Sequence, residues 1–208
     1  MKRLTVFGLI ACLFSLAGCT ETRFESPPGQ NIERCDTNLR GLWLAVDSKP
    51  GELDGFDIDA ECRTRILTRT EAGGPAQAIQ VPVNFVHHRG KHYVVVADEA
   101  LKGLIELPSI HGVNPVPKRN FFIVRYDVRG DRLRLFNVDD RAAGHAILDG
   151  TLEGTISSTL DELHVYVRGT REQILQALDT PDLFERKATS VLRRRHVTLE
   201  QAMREKSP

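Results

Sequence analysis

Apolar and polar side chains alternate with a period of two along much of this chain, and that alternation constrains its fold more than any other feature. The clearest run lies over residues 56–66, where Phe56, Ile58 and Cys62 are interleaved with charged residues. Successive residues of a β-strand point to opposite faces, so the pattern is typical of a strand with one buried and one charged face. Such segments bury their apolar side by pairing into a sheet.

Three turn sequences separate runs of this kind and predict hairpins: Lys49-Pro50-Gly51, Arg89-Gly90 and Arg129-Gly130-Asp131. A further strand is expected over residues 162–168, and the capping-box sequence that starts at Thr170 predicts a helix after it. We therefore expect a mainly β or α+β fold, with an antiparallel sheet or open barrel of about 6–8 strands and one or two C-terminal helices.

The N-terminus combines three features in a fixed order. Lys2 and Arg3 supply positive charge, residues 4–16 are largely apolar, and the run ends on Leu16-Ala17-Gly18-Cys19. An apolar run of about 13 residues is too short to cross a hydrocarbon core of about 30 Å as a helix, and is typical of a secretory signal peptide.

The sequence Leu16-Ala17-Gly18-Cys19 resembles the lipobox of bacterial lipoproteins. The resemblance implies that residues 1–18 are a signal peptide and that Cys19 becomes the acylated, palmitate-bearing N-terminus of the mature protein, with the lipid bilayer as its partner. In Gram-negative lipoproteins an Asp after the cysteine favours the inner membrane. Thr20 at that position implies the outer membrane, with the protein on its periplasmic face.

The remaining chain divides into two parts. Residues 19–34 are polar and include Pro27-Pro28-Gly29, so we expect an acylated N-terminus on a flexible tether. Residues 35–208 are expected to form one β-rich globular domain. Beyond residue 18 the acidic residues outnumber the basic ones by only two, which gives no reason to expect a nucleic-acid partner.

Two of the four cysteines remain for a disulfide. Cys12 lies in the apolar run and Cys19 is the acylation residue, which leaves Cys35 and Cys62. The periplasm is oxidising, so we predict that these two are bonded.

The strand register decides whether these two cysteines meet directly. If the first hairpin closes tightly at Lys49-Pro50, Cys35 lies opposite Cys62. If its loop instead runs over residues 47–56, Cys62 faces Gly41 and the chain must fold back to bring the two Cα atoms within about 7 Å.

The closest histidines flank the turn Arg89-Gly90. A two-residue turn there places His87 opposite His92 and His88 opposite Lys91. Two imidazoles on one face are suitable ligands, but a zinc site needs a third or fourth and the neighbours in sequence supply none. Lys91 also opposes a cation, so we expect no metal at this position.

Three other features suggest binding sites. The acidic residues Asp57, Asp59 and Glu61 are spaced too widely along a strand for one calcium ion, about 6.5–7 Å, and are interpreted as a charged outer face. Gly41-Leu42-Trp43 is similar to the Gly-x-Trp of lipocalins, which implies an apolar ligand cavity beneath Trp43. The cluster Arg193-Arg194-Arg195-His196, with Arg186 and Lys187 upstream, is a candidate contact for an acidic partner or an anionic lipid.

The sequence contains no Gly-x-Ser-x-Gly elbow, phosphate-binding glycine loop or zinc-protease helix motif. We therefore expect no catalytic residue and no cofactor, and a lipoprotein whose domain binds an envelope protein, as inhibitors and immunity proteins do. A lipocalin-like carrier of a small apolar ligand is the first alternative. An envelope enzyme whose site is assembled only in three dimensions is the second.

Replacement of Cys19 by Ala tests the lipoprotein prediction. The variant is expected to remain an unprocessed precursor that incorporates no labelled palmitate, because the thiol that accepts the lipid is gone. Cys12→Ala removes a cysteine from the apolar run only and should be labelled normally. Normal labelling of Cys19→Ala would contradict the prediction.

Overall fold

The computed structural model of the chain describes residues 19–47, 53–69, 76–104, 110–159 and 162–205. The predicted signal peptide, residues 1–18, and the predicted turn Lys49-Pro50-Gly51 lie outside the described residues. Within them, no helix combines the length and the apolar character needed to cross a membrane.

The described residues form twelve strands, four short α-helices and one 3-10 helix. The strands are β1 (Cys19–Phe24), β2 (Gly41–Ala45), β3 (Gly55–Ile58), β4 (Thr64–Arg69), β5 (Ala76–Gln80), β6 (Asn84–His88), β7 (Lys91–Ala97), β8 (Phe121–Arg129), β9 (Arg132–Phe136), β10 (Gly154–Ser158), β11 (Glu162–Val167) and β12 (Ser190–Arg195). The helices are η1 (Thr37–Leu39, 3-10), α1 (Asp98–Leu101), α2 (Asp140–Leu148), α3 (Arg171–Ala177) and α4 (Leu199–Glu205).

All twelve strands belong to one open, mixed sheet. Its main path has the order β10-β11-β1-β8-β9-β12-β2-β3-β4-β5, and β7 adds β6 to the other edge of β8. The β1–β11 pair is parallel, while the other strand pairs are antiparallel. Strand β8 is the branch point, because it pairs with β7, β9 and the end of β1.

The predicted fold class is confirmed, but the strands are more numerous than expected. The run over residues 56–66 is broken by a turn in which the Asp59 side chain accepts hydrogen bonds from the backbone amides of Glu61 and Arg63. The segment before the turn Arg89-Gly90, over which the alternation predicts one strand at residues 79–88, is likewise divided between β5 and β6. The predicted capping box at Thr170 begins α3, with reciprocal bonds between Thr170 and Gln173.

The core lies on both faces of the strands around β8. Ile123 belongs to a cluster that α2 and α3 cover, whereas Val124 and Tyr126 belong to a second cluster with Trp43 and Phe85. Alternate residues of one strand therefore supply two apolar layers.

The prediction of a flexible tether over residues 19–34 is wrong at its start. Residues 19–24 form β1, which pairs with β11 from Cys19↔Glu162 to Phe24↔Val167. The sequence Thr-Glu-Thr-Arg looks solvent-exposed, but Arg23 is fully buried and Glu21 is only 7% exposed. Charge pairing with distant residues, rather than apolar character, permits this burial.

The predicted disulfide between Cys35 and Cys62 is present, with a Cα–Cα distance of 5.4 Å. Neither of the two expected registers is observed, because Gly41 pairs with Ile58. Cys62 lies beyond the end of β3, in the turn with a positive φ of 63°. The chain before β2 bends through η1 and brings Cys35 to that turn.

The guanidinium of Arg23 interacts with two carboxylates beside β1. The Arg23 Nε donates to both carboxylate oxygens of Asp98 at 3.0 and 3.2 Å, and Arg23 also forms an ion pair with Glu21. On the residue before Arg23, the Thr22 hydroxyl donates to Asp140 at 2.6 Å. Burial raises the pKa of Glu21 to about 7, despite the attraction of Arg23. One cation does not balance three carboxylates in a buried place, which adds to the effect of burial in favouring the protonated form of Glu21.

The stability of the domain should therefore depend on Glu21. Between pH 4.5 and about 7 the folded state keeps the Glu21 proton that the unfolded chain has released, so unfolding becomes easier as the pH rises through this window. Glu21→Gln removes this contribution. The free energy of unfolding of each protein is measured in urea from pH 4 to 8. The difference between Glu21→Gln and wild type should grow with pH in favour of the variant, by up to about 3 kcal/mol.

The matched control is Glu99→Gln, which removes an exposed carboxylate from α1, beside Asp98. A difference between Glu21→Gln and wild type that is constant across the pH range would contradict the assignment.

Candidate functional site

A groove of about 950 Å³ runs past the ends of β8 and β9 and the turn between β6 and β7. Its lining includes both Arg125 and Tyr126, which are successive residues of β8 and so come from opposite faces of the strand. A smaller cavity of about 470 Å³ adjoins it and shares Arg129 and Arg134 with it. Together these two cavities are called the basic groove.

Cations dominate this lining. The larger cavity contains two carboxylates, Asp36 and Asp127, against six basic side chains, which are Lys91, Arg125, Arg129, Arg134, Arg186 and Arg194. Asp127 contacts both Arg134 and Arg129, the latter at 3.4 Å, and Arg186 pairs with Asp182 at 2.9 Å. The groove therefore keeps an excess of positive charge.

Three arginines lie side by side across neighbouring strands. Arg129 of β8 pairs with Arg132 of β9, and Arg132 pairs in turn with Arg193 of β12. All three are exposed, and neither Arg132 nor Arg193 forms an ion pair with any described residue. Like charges directly opposite one another destabilise a sheet. This set, Arg129, Arg132 and Arg193, is called the arginine row.

Two other arginines of the groove are held over aromatic rings. The Arg125 guanidinium lies 4.5 Å from the centre of the Phe136 ring and donates to the Glu185 carbonyl at 3.3 Å. The Arg194 guanidinium lies 4.5 Å from the Trp43 ring and donates to the Asn38 carbonyl at 2.7 Å. Stacking and hydrogen bonding fix the planar groups in place before any ligand arrives.

A polar network occupies one end of the groove. The Tyr126 hydroxyl donates to Asp36 Oδ2 at 2.5 Å, and the backbone amide of Asn38 donates to Asp36 Oδ1 at 2.8 Å. His87 Nε2 lies 3.4 Å from Asp36 Oδ2 and 3.3 Å from the Tyr126 hydroxyl. The His87 and His92 rings are perpendicular, with centres 4.6 Å apart.

The network keeps Asp36 ionised and Tyr126 protonated. Burial alone would raise the pKa of Asp36, but the bonds from Tyr126 and Asn38, with the histidines nearby, hold that pKa below its ordinary value. Burial and the Asp36 carboxylate raise the pKa of Tyr126 well above its ordinary range. The phenol is thus a stable donor to a buried carboxylate.

The predicted histidine pairing is confirmed, since β6 and β7 place His87 opposite His92 and His88 opposite Lys91. His88 bonds to Asp179 at 3.0 Å instead of joining the network. The sequence neighbours of His87 and His92 supply no further ligand, but the carboxylate of Asp36 lies close to both histidines. Asp36 lies far upstream in the sequence, where no local pattern marks it.

The acidic residues near 57–61 are paired with arginines. Asp57 is buried and contacts Arg65, while Asp59 accepts from Arg63 Nε at 2.7 Å. Asp57 therefore departs from the expected outer charged face.

Trp43, the residue on which the lipocalin similarity rests, is fully buried in the second core cluster. Its ring nitrogen donates to the Leu39 carbonyl at 2.8 Å.

Three residues of the predicted basic cluster line the two cavities, whereas Lys187, Arg195 and His196 line neither. Arg194 and Arg186 line the larger cavity and Arg193 the smaller one. The arginines of the β8–β9 hairpin were missed, although that hairpin was predicted and its alternation places Arg125 and Arg129 on one face. The like-charged row arises only because β12 packs beside β9, a pairing that the sequence does not indicate.

No family model, no curated protein and no solved structure matches this chain.

The hydrogen bond from Tyr126 to Asp36 can be tested by removing its donor. Tyr126→Phe leaves a buried carboxylate oxygen without its partner, so the free energy of unfolding in urea should fall by about 1–3 kcal/mol. Tyr93→Phe is the matched control, because the Tyr93 hydroxyl is buried without a hydrogen-bond partner among the described residues. Equal stability losses in the two variants would contradict the proposed role of Tyr126.

Proposed function

We propose that this chain is a lipoprotein, anchored through Cys19 at the periplasmic face of the outer membrane, whose domain binds an acidic envelope protein in the basic groove. In this proposal the domain is a non-enzymatic module of the inhibitor or immunity type. The observation that carries it is the arginine row, together with the excess of cations in the groove beside it.

The arginine row supports a binding role because the three side chains lower the stability of the sheet and make few stabilising contacts within the domain. Arg129, Arg132 and Arg193 repel one another, and their exposed side chains contribute little to the core. A carboxylate-rich surface would relieve the repulsion on contact. This makes ligand binding the simplest reason for three arginines at these positions.

The type of cation favours a protein partner. Five of the six basic residues in the larger cavity are arginines. A guanidinium binds a carboxylate through two parallel hydrogen bonds, and arginine is enriched in protein interfaces, where lysine is depleted. Arg125 and Arg194 are already held over rings, so binding would order them little further and lose little entropy.

The same features favour a binding module over a lipocalin-like carrier. A carrier needs a deep apolar cavity, whereas the basic groove is wide, open and lined by charges. Trp43, beneath which the ligand would lie, packs against Leu39 and Phe56 instead.

Photocrosslinking in intact envelopes tests the proposal. A photoreactive residue at Val128, which lines the groove, should form a crosslink to an acidic protein identified by mass spectrometry. The charge reversals Arg129→Glu and Arg132→Glu together should reduce the yield by at least about tenfold, since interface arginines often contribute more than 1 kcal/mol each.

Arg141→Glu provides the control, because Arg141 is an exposed arginine on α2 and does not line the groove. That variant should retain the crosslink. The proposal would be overturned by crosslinks that survive reversal of the arginine row, or by crosslinks formed with lipid alone.

A further inference from the structure

Three side chains from separate parts of the chain offer ligand atoms to one point in the groove. One atom each of Asp36, His87 and His92 lies within 4.8 Å of the others. The histidines come from the paired strands β6 and β7, and Asp36 comes from the segment that precedes β2. Asp36 and His92 also line the larger cavity, so the cluster borders the basic groove.

The position of Asp36 is fixed by contacts that do not involve the histidines. Glu33 forms a two-way backbone bridge with Phe85 of β6, with N–O distances of 2.9 and 2.8 Å. Cys35 is bonded to Cys62, and the Asp36 side chain caps η1. The carboxylate is therefore held beside His87 whether or not a ligand is bound, as a preformed site requires.

The distances fit a tetrahedral metal. Ligand bonds of about 2.0–2.1 Å place neighbouring ligand atoms of a zinc ion about 3.3–3.4 Å apart. His87 Nε2 lies 3.4 Å from Asp36 Oδ2. Small side-chain rotations would bring the widest pair, within 4.8 Å, to this separation.

A buried ring nitrogen and two neighbouring groups are also consistent with a bound metal. His92 Nδ1 is buried and has no hydrogen-bond partner among the described residues, which is costly for a polar atom. Tyr126 orients the Asp36 carboxylate, and Glu33 lies 3.9 Å from the other ring nitrogen of His87. Such outer groups orient the ligands of most metal sites.

The positive charge of Lys91 does not exclude a cation here. Lys91 lines the same cavity as Asp36 and His92, but strand alternation directs Lys91 and its partner His88 to the face opposite His92 and His87. The contact of His88 with Asp179 agrees with that placement. The negative charge of Asp36 lies on the ligand side.

We propose that Asp36, His87 and His92 form a binding site for a divalent transition-metal ion such as Zn²⁺. Two imidazoles and one carboxylate are a common ligand set for such ions, and leave a coordination position open. That position faces the basic groove, where water or an incoming carboxylate would complete the coordination. The site stands on its own geometry and does not rest on the proposed partner protein.

Zinc titration of the purified full chain tests the site. The protein is prepared in detergent without a histidine tag, its free thiols are alkylated, and it is stripped of metal with a chelator. Competition with a chromophoric chelator should reveal one saturable Zn²⁺ per chain. His87→Gln and His92→Gln should each weaken binding by at least about tenfold, as loss of a ligand requires.

His88→Gln is the matched control, since His88 adjoins His87 but lies outside the cluster, and it should bind as wild type does. Far-ultraviolet circular dichroism checks that each variant is folded. Absence of saturable binding, or a wild-type zinc affinity in either His87→Gln or His92→Gln, would overturn the proposal.

A second measurement uses the unaltered protein and so does not depend on the folding of any variant. Zinc should protect His87 and His92 from modification by diethyl pyrocarbonate, as mapped by tandem mass spectrometry. His111, which is exposed and outside the cluster, should react equally with and without zinc. Unchanged reactivity of His87 and His92 would count against the site.

Discussion

The continuity of the sheet depends on the buried guanidinium of Arg23. Strand β1 is the only link between the β10–β11 hairpin and β8 in the described sheet order. Its sequence is too polar for burial by the hydrophobic effect alone, and Arg23 makes burial tolerable by joining Glu21 to Asp98 and stacking on Phe122, 3.2 Å from the ring centre. Removing Arg23 would leave the Asp98 carboxylate without its counter-charge, which is costlier than losing a surface pair.

Short-range patterns in the sequence were sufficient for the hairpins and helix starts. Glycine in the turns and the alternation beside them predicted β6–β7 and β8–β9, including the register of His87 with His92. The capping box at Thr170 was equally local. In each case the residues that determine the structure are close neighbours along the chain.

Features that depend on distant residues were not predictable in this way. The polar start of the chain becomes β1 because Asp98 and Asp140 supply its partners, and neither has a sequence relation to it. Asp36 reaches the histidines because a backbone bridge and a disulfide direct the segment there. The basic groove likewise needs β12 beside β9, so composition gave no sign of it in a nearly neutral chain.

The parallel pairing of β1 with β11 determines when the chain can complete its fold. The partner strand, residues 162–167, belongs to the last quarter of the sequence, so β1 has no place in the sheet until most of the chain has emerged. Pairing of such distant segments is slow, because the entropy of closing the long loop must be overcome first. The first strand is therefore expected to stay unpaired until late in folding, and the finished sheet incorporates it only at the end.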